Sequence, residues 1–295
     1  MKILLTGKNG QLGFELQRAL APLGEVHAVD SQECDLADSD AIRSLIRSVK
    51  PDLIVNPAAY TAVDRAESES ALAAAINTEA PRVLGEEADK LGAWVIHYST
   101  DYVFDGTGHG AYVETDTTNP QSVYGLTKRD GELALQASCK RHLIFRTSWV
   151  VGMHGANFAK TMLRLAAERD SLNIVADQFG APTSAALLAD VTAQVVGRVR
   201  REGLDGFPFG LYHVVAGGET TWYDYARFVI DQAVVAGKPL KMTPDSIRPI
   251  ATADYPLPAK RPANSRLNTR LFRHTFDLEL PDWQLGVNHV LQGIL

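Results

Sequence analysis

The sequence predicts an α/β protein: a doubly wound parallel sheet followed by a smaller C-terminal domain. Three observations predict it. Short apolar runs alternate with amphipathic stretches through the first half, the pattern of strands covered by helices on both faces. The first run, Met1-Lys2-Ile3-Leu4-Leu5-Thr6, leads straight into Gly7-Lys8-Asn9-Gly10-Gln11-Leu12-Gly13 and then into a helical stretch. Small and polar residues follow the apolar runs, at 56–60, 99–101 and 147–149, where open α/β sheets bind ligands beyond the carboxyl ends of their strands.

The elements follow in order. Residues 1–6 read as a buried strand, and residues 14–20 open a helix. Residues 25–29 are a second strand, and 38–49 a helix with Ile42, Leu45, Ile46 and Val49 at helical spacing. Residues 51–56 are strand three. Residues 67–91 form a long Ala-rich helical region, in which Pro81 marks a kink or restart. Residues 93–98 are strand four and lead to Ser99-Thr100; residues 142–147 are strand five. After Trp149 the pattern loosens. Residues 157–168 read as a helix, 172–176 as a sixth strand and 184–199 as a helix. A turn-rich linker at 203–210 precedes a strand at 211–215 and a helix at 221–235, with Trp222, Tyr225, Phe228 and Val229 inward. Residues 237–266 hold six of the fourteen prolines and read as extended loop; 268–276 and 283–291 are short closing helices. Two domains are expected. One comprises residues 1–148, with 172–202 returning to it; the other comprises 149–171 and 203–295.

Composition narrows the function classes. The chain has 295 residues, 45% of them hydrophobic and 22% charged, as in a soluble globular protein. A net charge of -6 argues against a general nucleic-acid binder, while an anionic small substrate needs only local basic groups. Cys34 and Cys139 are the only cysteines and read as buried thiols in a reducing compartment. The amino terminus reads as strand one rather than a signal peptide, and no apolar stretch approaches the roughly 20 residues of a membrane helix. No membrane partner and a cytoplasmic location are expected. The eight histidines show no metal-ligand spacing, so no metal is expected; His97, inside strand four, reads as a satisfied core residue.

Two motifs carry chemistry. Glycines at 7, 10 and 13 suit a tight turn, close approach to a pyrophosphate and close helix–strand packing, with the helix amino terminus offering free N–H groups. Asp30 lies twenty residues beyond Gly10, where an acid bonds the adenosine ribose of a Rossmann-type dinucleotide site. Its carboxylate favours NADH over a 2′-phosphate; Lys8 and Ser31 soften that preference. The second motif is Tyr124-Gly125-Leu126-Thr127-Lys128. Four residues apart on a helix, phenol and ammonium share one face. With the Thr100 hydroxyl they suit carbonyl reduction or alcohol oxidation.

These residues resemble the extended short-chain dehydrogenase/reductase superfamily and, within it, the dTDP-4-dehydrorhamnose reductase family. The resemblance runs over nearly the whole chain. It rests on Thr6–Gly13, Asn56-Pro57-Ala58-Ala59-Tyr60-Thr61-Ala62-Val63-Asp64, Ser99-Thr100-Asp101-Tyr102-Val103-Phe104-Asp105-Gly106 and the Tyr124–Lys128 motif. It rests also on Arg146-Thr147-Ser148-Trp149, Asp177-Gln178-Phe179-Gly180-Ala181-Pro182-Thr183 and Arg261-Pro262-Ala263-Asn264-Ser265-Arg266-Leu267. The resemblance implies reduction of the 4-keto group of a dTDP-bound deoxysugar by NADPH or NADH. Tyr124 would be the proton donor, Lys128 would hold the nicotinamide ribose and keep the phenol acidic, and Thr100 would bond the carbonyl oxygen. Gly7, Asn9, Gly10, Gln11, Leu12, Gly13, Asp30, Ser31, Asp35, Leu36, Ala58, Ala59 and Tyr60 would join Tyr124 and Lys128 around the cofactor. Val63, Thr100, Asp101, Tyr102 and Trp149 would line the sugar pocket, and Asn157, Arg261 and Arg266 would take the dTDP part. Some members pair Glu15 with an acid near position 186 in a magnesium site between subunits; here position 186 is Ala, so monomer or homodimer is left open. The alternatives are a related nucleotide-sugar reductase or epimerase and a non-catalytic dinucleotide-binding regulatory subunit.

Overall fold

In the computed structural model, which describes residues 1–295, β1 (Lys2–Leu5) leads through the glycine turn into α1 (Gln11–Leu20). The helix begins three residues before the expected 14–20. Gly10 is its extended amino-terminal cap, with no side chain covering the first N–H groups. Leu12, Leu16 and Leu20 give it one buried face. Next come β2 (Glu25–Ala28) and α2 (Ser39–Val49), whose first turn is held by the Asp38 carboxylate accepting from the N–H groups of Asp40 and Ala41. After β3 (Leu53–Asn56) the chain is helical over Val63–Ala66 and Ser70–Ala74. It then passes through a wide turn at Ala75–Glu79 into α3 (Ala80–Leu91). Pro81 lies in the first turn of α3, where its missing N–H costs nothing; the irregularity expected there is the wide turn just before it.

The remaining elements are β4 (Trp94–Thr100), α4 (Val123–Ser138), β5 (His142–Thr147), α5 (Phe158–Glu168) and β6 (Leu172–Val175). They continue with α6 (Ala185–Glu202), β7 (Gly210–His213), α7 (Trp222–Val235), β8 (Ile247–Ile250), α8 (Arg270–Phe276) and α9 (Trp283–Ile294). No helix is long and apolar enough to cross a membrane.

Six strands form one parallel sheet in the order β7-β5-β4-β3-β1-β2. The chain leaves β1 toward β2 on one side and returns to β3 on the other. That reversal opens a crevice at the carboxyl ends of β1 and β3. Alternate strand residues feed the two faces: Ile3, Leu5, Val55 and Ile96 pack with α1 and α6, while Leu4, Ile54, Val95 and Ile144 pack with α2 and α3. Cys34 and Cys139 are buried free thiols in the second of these cores. A separate core from α5, α7 and α9 includes Met162, Tyr225, Val229, Trp283 and Val287.

Two assignments change. The strand at 172–176 does not return to the large sheet: β6 pairs in parallel with β8, inside the core of α5 and α7. Only Leu172 of β6 is buried, whereas every residue of β3 and β4 is, as a doubly covered sheet requires. Conversely β7 and α8, expected in the C-terminal domain, complete the nucleotide-side lobe. β7 pairs with β5, and Tyr212 packs edge-on against Phe272 and Phe276 of α8.

Candidate active site

The crevice at the switch point is a cleft of about 640 Å³. It is lined by Gly7, Asn9, Gly10, Gln11, Leu12 and Gly13 from the first turn, Asp30, Ser31, Asp35 and Leu36 beyond β2, Ala58 and Ala59 beyond β3, and Tyr124 and Lys128. Of the expected cofactor residues only Tyr60 turns away: its phenol bonds Glu69, and its N–H and carbonyl are held by Asn77. The turn leaves no room for side chains. A Cβ on Gly13 would sit 2.0 Å from the carbonyl oxygen of Gly7. Asp30 is already oriented, Oδ1 accepting from the N–H groups of Gln32 (2.9 Å) and Glu33 (3.3 Å), and Oδ2 from Asn9 Nδ2 (2.7 Å). The backbone N–H of Gln32 chiefly holds its pKa below the ordinary carboxylate value. Lys8 is paired with Glu33 and lies 3.8 Å from Asp30 Oδ2, so it neutralises this corner rather than standing free.

The cleft is also lined by Thr6, Pro57, Ser99 and Thr147, from segments the sequence marked as ligand-binding without giving these residues individual roles. The strand ends of β4 and β5 place Ser99 Oγ and Thr147 Oγ1 there, buried and without a protein partner. Two orphaned hydroxyls, an uncapped helix terminus and a glycine turn fit a dinucleotide with a polar carboxamide ring. The signal for the two hydroxyls was their place at strand ends.

Tyr124 stands in the first turn of α4, which Ser122 caps by accepting from the Gly125 N–H at 3.2 Å. Thr100, at the end of β4, donates to Asp101 Oδ1 at 3.0 Å and accepts from the Tyr102 N–H at 3.2 Å. The Tyr102 ring meets the Tyr124 ring edge-on, with centroids 5.4 Å apart. Burial pushes Asp101 up to about 6 against the opposing hydrogen bonds of Ser265 and Thr100; its Oδ2 has no partner. Burial also pushes the Tyr124 phenol up to about 12, opposed by Thr100 and assisted by Asp101. Burial dominates, and the ammonium is turned to β4, donating to the Tyr98 carbonyl at 2.6 Å and meeting His97 Nε2 at 3.3 Å. Burial lowers Lys128 to about 8, with Glu132 opposing.

A second cleft of about 1250 Å³ opens beside the first, lined by Tyr102, Phe158, Arg164, Arg169, Trp222, Lys260 and Arg261 among others. Arg261 is fixed by Asp64, donating to Oδ2 at 2.7 Å, while the Ala259 N–H donates to Oδ1 at 3.1 Å. Val63 precedes Asp64 at the start of the same short helix. Trp149, with a left-handed φ of 49°, stacks on Trp222 at 3.7 Å and reaches the cleft through it. Thr100 and Asp101 are buried beside Tyr124 and line neither cleft themselves. Val63, Trp149, Asn157 and Arg266 line neither cleft. Asn157 caps α5 and donates to Gln11 Oε1 (3.0 Å) and the Gly152 carbonyl (2.8 Å). Arg266 lies over the Phe179 ring and bonds Asn264, Glu219 and the His109 carbonyl. Asp64, Ser265 and Trp222 were not anticipated, because each acts through a partner distant in sequence. The Asp177 carboxylate likewise accepts from the N–H and hydroxyl of Thr252, tying the Asp-Gln-Phe-Gly run to the cleft wall.

Hydroxyl, phenol and ammonium gathered beside a dinucleotide crevice fit the extended short-chain dehydrogenase/reductases, nicotinamide-dependent oxidoreductases. The chain belongs to the RmlD substrate binding domain family, whose profile matches residues 1–295. It is 54% identical to the dTDP-4-dehydrorhamnose reductase of Escherichia coli K12, over 100% of this chain and 98% of that one. Its identity to the Salmonella typhimurium reductase is 53%, over 99% and 97%. Among solved structures, it superposes on a dTDP-4-dehydrorhamnose reductase from Clostridium acetobutylicum with a TM-score of 0.90 at 36% identity, covering 100% and 99% of the two chains. The Bacillus anthracis reductase in complex with NADP gives 0.89 at 31% identity, covering 99% and 98%.

Proposed function

We propose that this protein reduces the 4-keto group of dTDP-4-dehydro-L-rhamnose to dTDP-L-rhamnose with NADPH or NADH, the last step of dTDP-rhamnose synthesis. The observation that carries this reading is the Tyr124 phenol, which lines the dinucleotide cleft with Lys128 and packs against Tyr102 of the second cleft. When bound, the reduced nicotinamide supplies hydride to the keto carbon. Tyr124 then gives its proton to the forming alkoxide; with a pKa near 12 it is protonated throughout the physiological range and still far more acidic than an alcohol. The Thr100 hydroxyl turns from Asp101 to the same oxygen. Lys128 presents its remaining N–H toward the cofactor cleft. Arg169 and Lys260, with Arg164 and Arg261 held by Glu168 and Asp64, offer donors for a substrate diphosphate in a cleft that also carries Asp105, Asp177 and Asp254. The reading includes a cytoplasmic location and a monomer or homodimer.

The test is direct. The purified chain is given reduced cofactor and the 4-keto sugar nucleotide generated in situ, and loss of reduced-cofactor absorbance is followed with identification of the product by NMR. Formation of the 6-deoxy-L-mannosyl nucleotide is expected. Cofactor binding without oxidation of either cofactor would overturn the reading in favour of a regulatory subunit.

A further inference from the structure

Thr6, Asn56, His97 and Lys128 form a chain of side chains running from the end of β1 across β3 and β4 to α4. None is more than 2% exposed. Thr6 Oγ1 and Asn56 Oδ1 are 2.6 Å apart, Asn56 Nδ2 and His97 Nδ1 3.1 Å, and His97 Nε2 and Lys128 Nζ 3.3 Å. The strand register sets this up, since Asn56 and His97 are direct partners on adjacent strands. Both ends of the chain, Thr6 and Lys128, line the cofactor cleft.

A neutral imidazole carries one proton and one acceptor nitrogen, so its two neighbours cannot both donate to it. An imidazolium is disfavoured by burial and then by the adjacent ammonium, which together hold His97 far below its ordinary pKa. Two polarities remain. If Thr6 donates to Asn56 and Asn56 Nδ2 to Nδ1, the ring proton is on Nε2 and Lys128 must be neutral to accept it. If Lys128 is charged it has only donors. Nε2 then accepts, the proton sits on Nδ1, and Asn56 turns its amide by half a turn to accept it and donate to Thr6. The direction of the chain is thus tied to the charge on Lys128.

An ammonium has three donors. The Tyr98 carbonyl takes one at 2.6 Å and His97 a second. We infer that His97 is a positioning residue for the reaction: as a neutral acceptor it fixes the second donor of Lys128, so that the third is held on the cofactor cleft that Tyr124 also lines. The inference rests on the roles proposed above for Tyr124 and Lys128. The other titratable groups around the pair are Tyr124 and Glu132 on α4, the latter held by Arg146 of β5, and Tyr98 of β4, whose phenol bonds Thr192. Asn56 and Thr6 carry no charge.

Two variants separate the two sides of the ring. In His97→Gln the side-chain amide reaches the place of Nε2 and keeps an acceptor for Lys128. In His97→Asn it reaches only the place of Nδ1, keeping the Asn56 contact and losing Lys128. His97→Asn is expected to lower kcat about tenfold, the scale of a hydrogen bond to a charged group. It should also move the basic limb of the pH profile down by about one unit, because an ammonium with one acceptor fewer loses its proton more easily. Its affinity for reduced cofactor, titrated by fluorescence, should fall as well. His97→Gln is expected to stay within about threefold of wild type in all three measurements. Asn56→Asp, which supplies a fixed acceptor for Nδ1–H, should move the same limb up. Equal losses in His97→Gln and His97→Asn, a lowered Tm with an unmoved basic limb, or a downward limb in Asn56→Asp would each overturn the inference. Wild-type turnover tests the proposed reaction separately, and the cofactor titration reads His97 whether or not that substrate is correct.

Discussion

Tyr124 is where the chemistry is most exposed to a single atom. Tyr124→Phe removes the proton donor and leaves the ring packed edge-on to Tyr102. Turnover should fall by roughly 100-fold or more, the scale of a lost general acid, with cofactor affinity nearly intact; wild-type turnover would assign the acid elsewhere. The neighbouring groups set the pH dependence. Asp101, raised to about 6, is an acceptor-only carboxylate above that pH; protonation below it places an O–H donor among the hydroxyls it orders, so kcat/KM should fall as pH drops below about 6. Lys128, lowered to about 8, has three donors only while charged, so activity should fall again as pH rises past about 8. A pH series on wild type and Asp101→Asn checks both, the variant losing the acid limb only. Individual residues were legible in the sequence where local spacing fixes them. Tyr124 and Lys128 share a helix face by period alone, and the glycines by their place between strand and helix. Ser99 and Thr147 were not singled out, because their orphaned state depends on strand register. Nor does sequence separate Arg261 from Arg266: both are arginines of one loop, and only their distant partners, Asp64 and Glu219, send them to different places.

At the scale of elements, α4 is the piece the site depends on, and Gly125 is why it can approach. A Cβ there would lie 2.2 Å from the Tyr102 carbonyl oxygen. Gly125→Ala sets two effects against each other. Alanine favours a helix by about 1 kcal/mol over glycine, while forcing a methyl group into packed backbone costs about 1–3 kcal/mol. The obstacle is backbone at the turn that presents Thr100 and Asp101, so the clash wins. A lower Tm and a kcat reduced more than about tenfold are expected, with cofactor affinity changed less; a raised Tm with full activity would mean that the turn yields freely. The alternation of strand and helix made the first five strands readable, because strands buried on both faces are continuous apolar runs. It misled at β6 and β7. Leu172-Asn173-Ile174-Val175 and Gly210-Leu211-Tyr212-His213 are equally short and mixed, and only their partners, β8 and β5, decide which joins the large sheet.

At the scale of the whole molecule, the Asp64–Arg261 pair ties the short helix after β3 to the proline-rich loop before α8 at 2.7 Å. Asp64→Ala should release Arg261 and the Ala259 backbone together and raise KM for the sugar nucleotide about tenfold, the scale of a lost charge-assisted bond, while KM for the cofactor moves little. Steady-state kinetics in both substrates decide, and an equal rise in both would place the pair elsewhere in the mechanism. The face of α1 against α6 bears on metal dependence. Glu15 on α1 and Asp190 on α6 are two carboxylates of that face, and no third acidic or imidazole ligand joins them. Arg18 already stands between them, 3.6 Å from Glu15 and 3.0 Å from Asp190, and position 186 on the same helix offers only a methyl group. Magnesium gives up its water reluctantly and is bound through one or two carboxylates only where geometry and charge favour it; here the guanidinium supplies the positive charge. Full activity after dialysis against EDTA is expected, together with an elution volume that does not respond to added magnesium. Loss of activity that magnesium restores, or a magnesium-driven change of size, would show that Arg18 yields its place, and Arg18→Gln would then be expected to tighten that response.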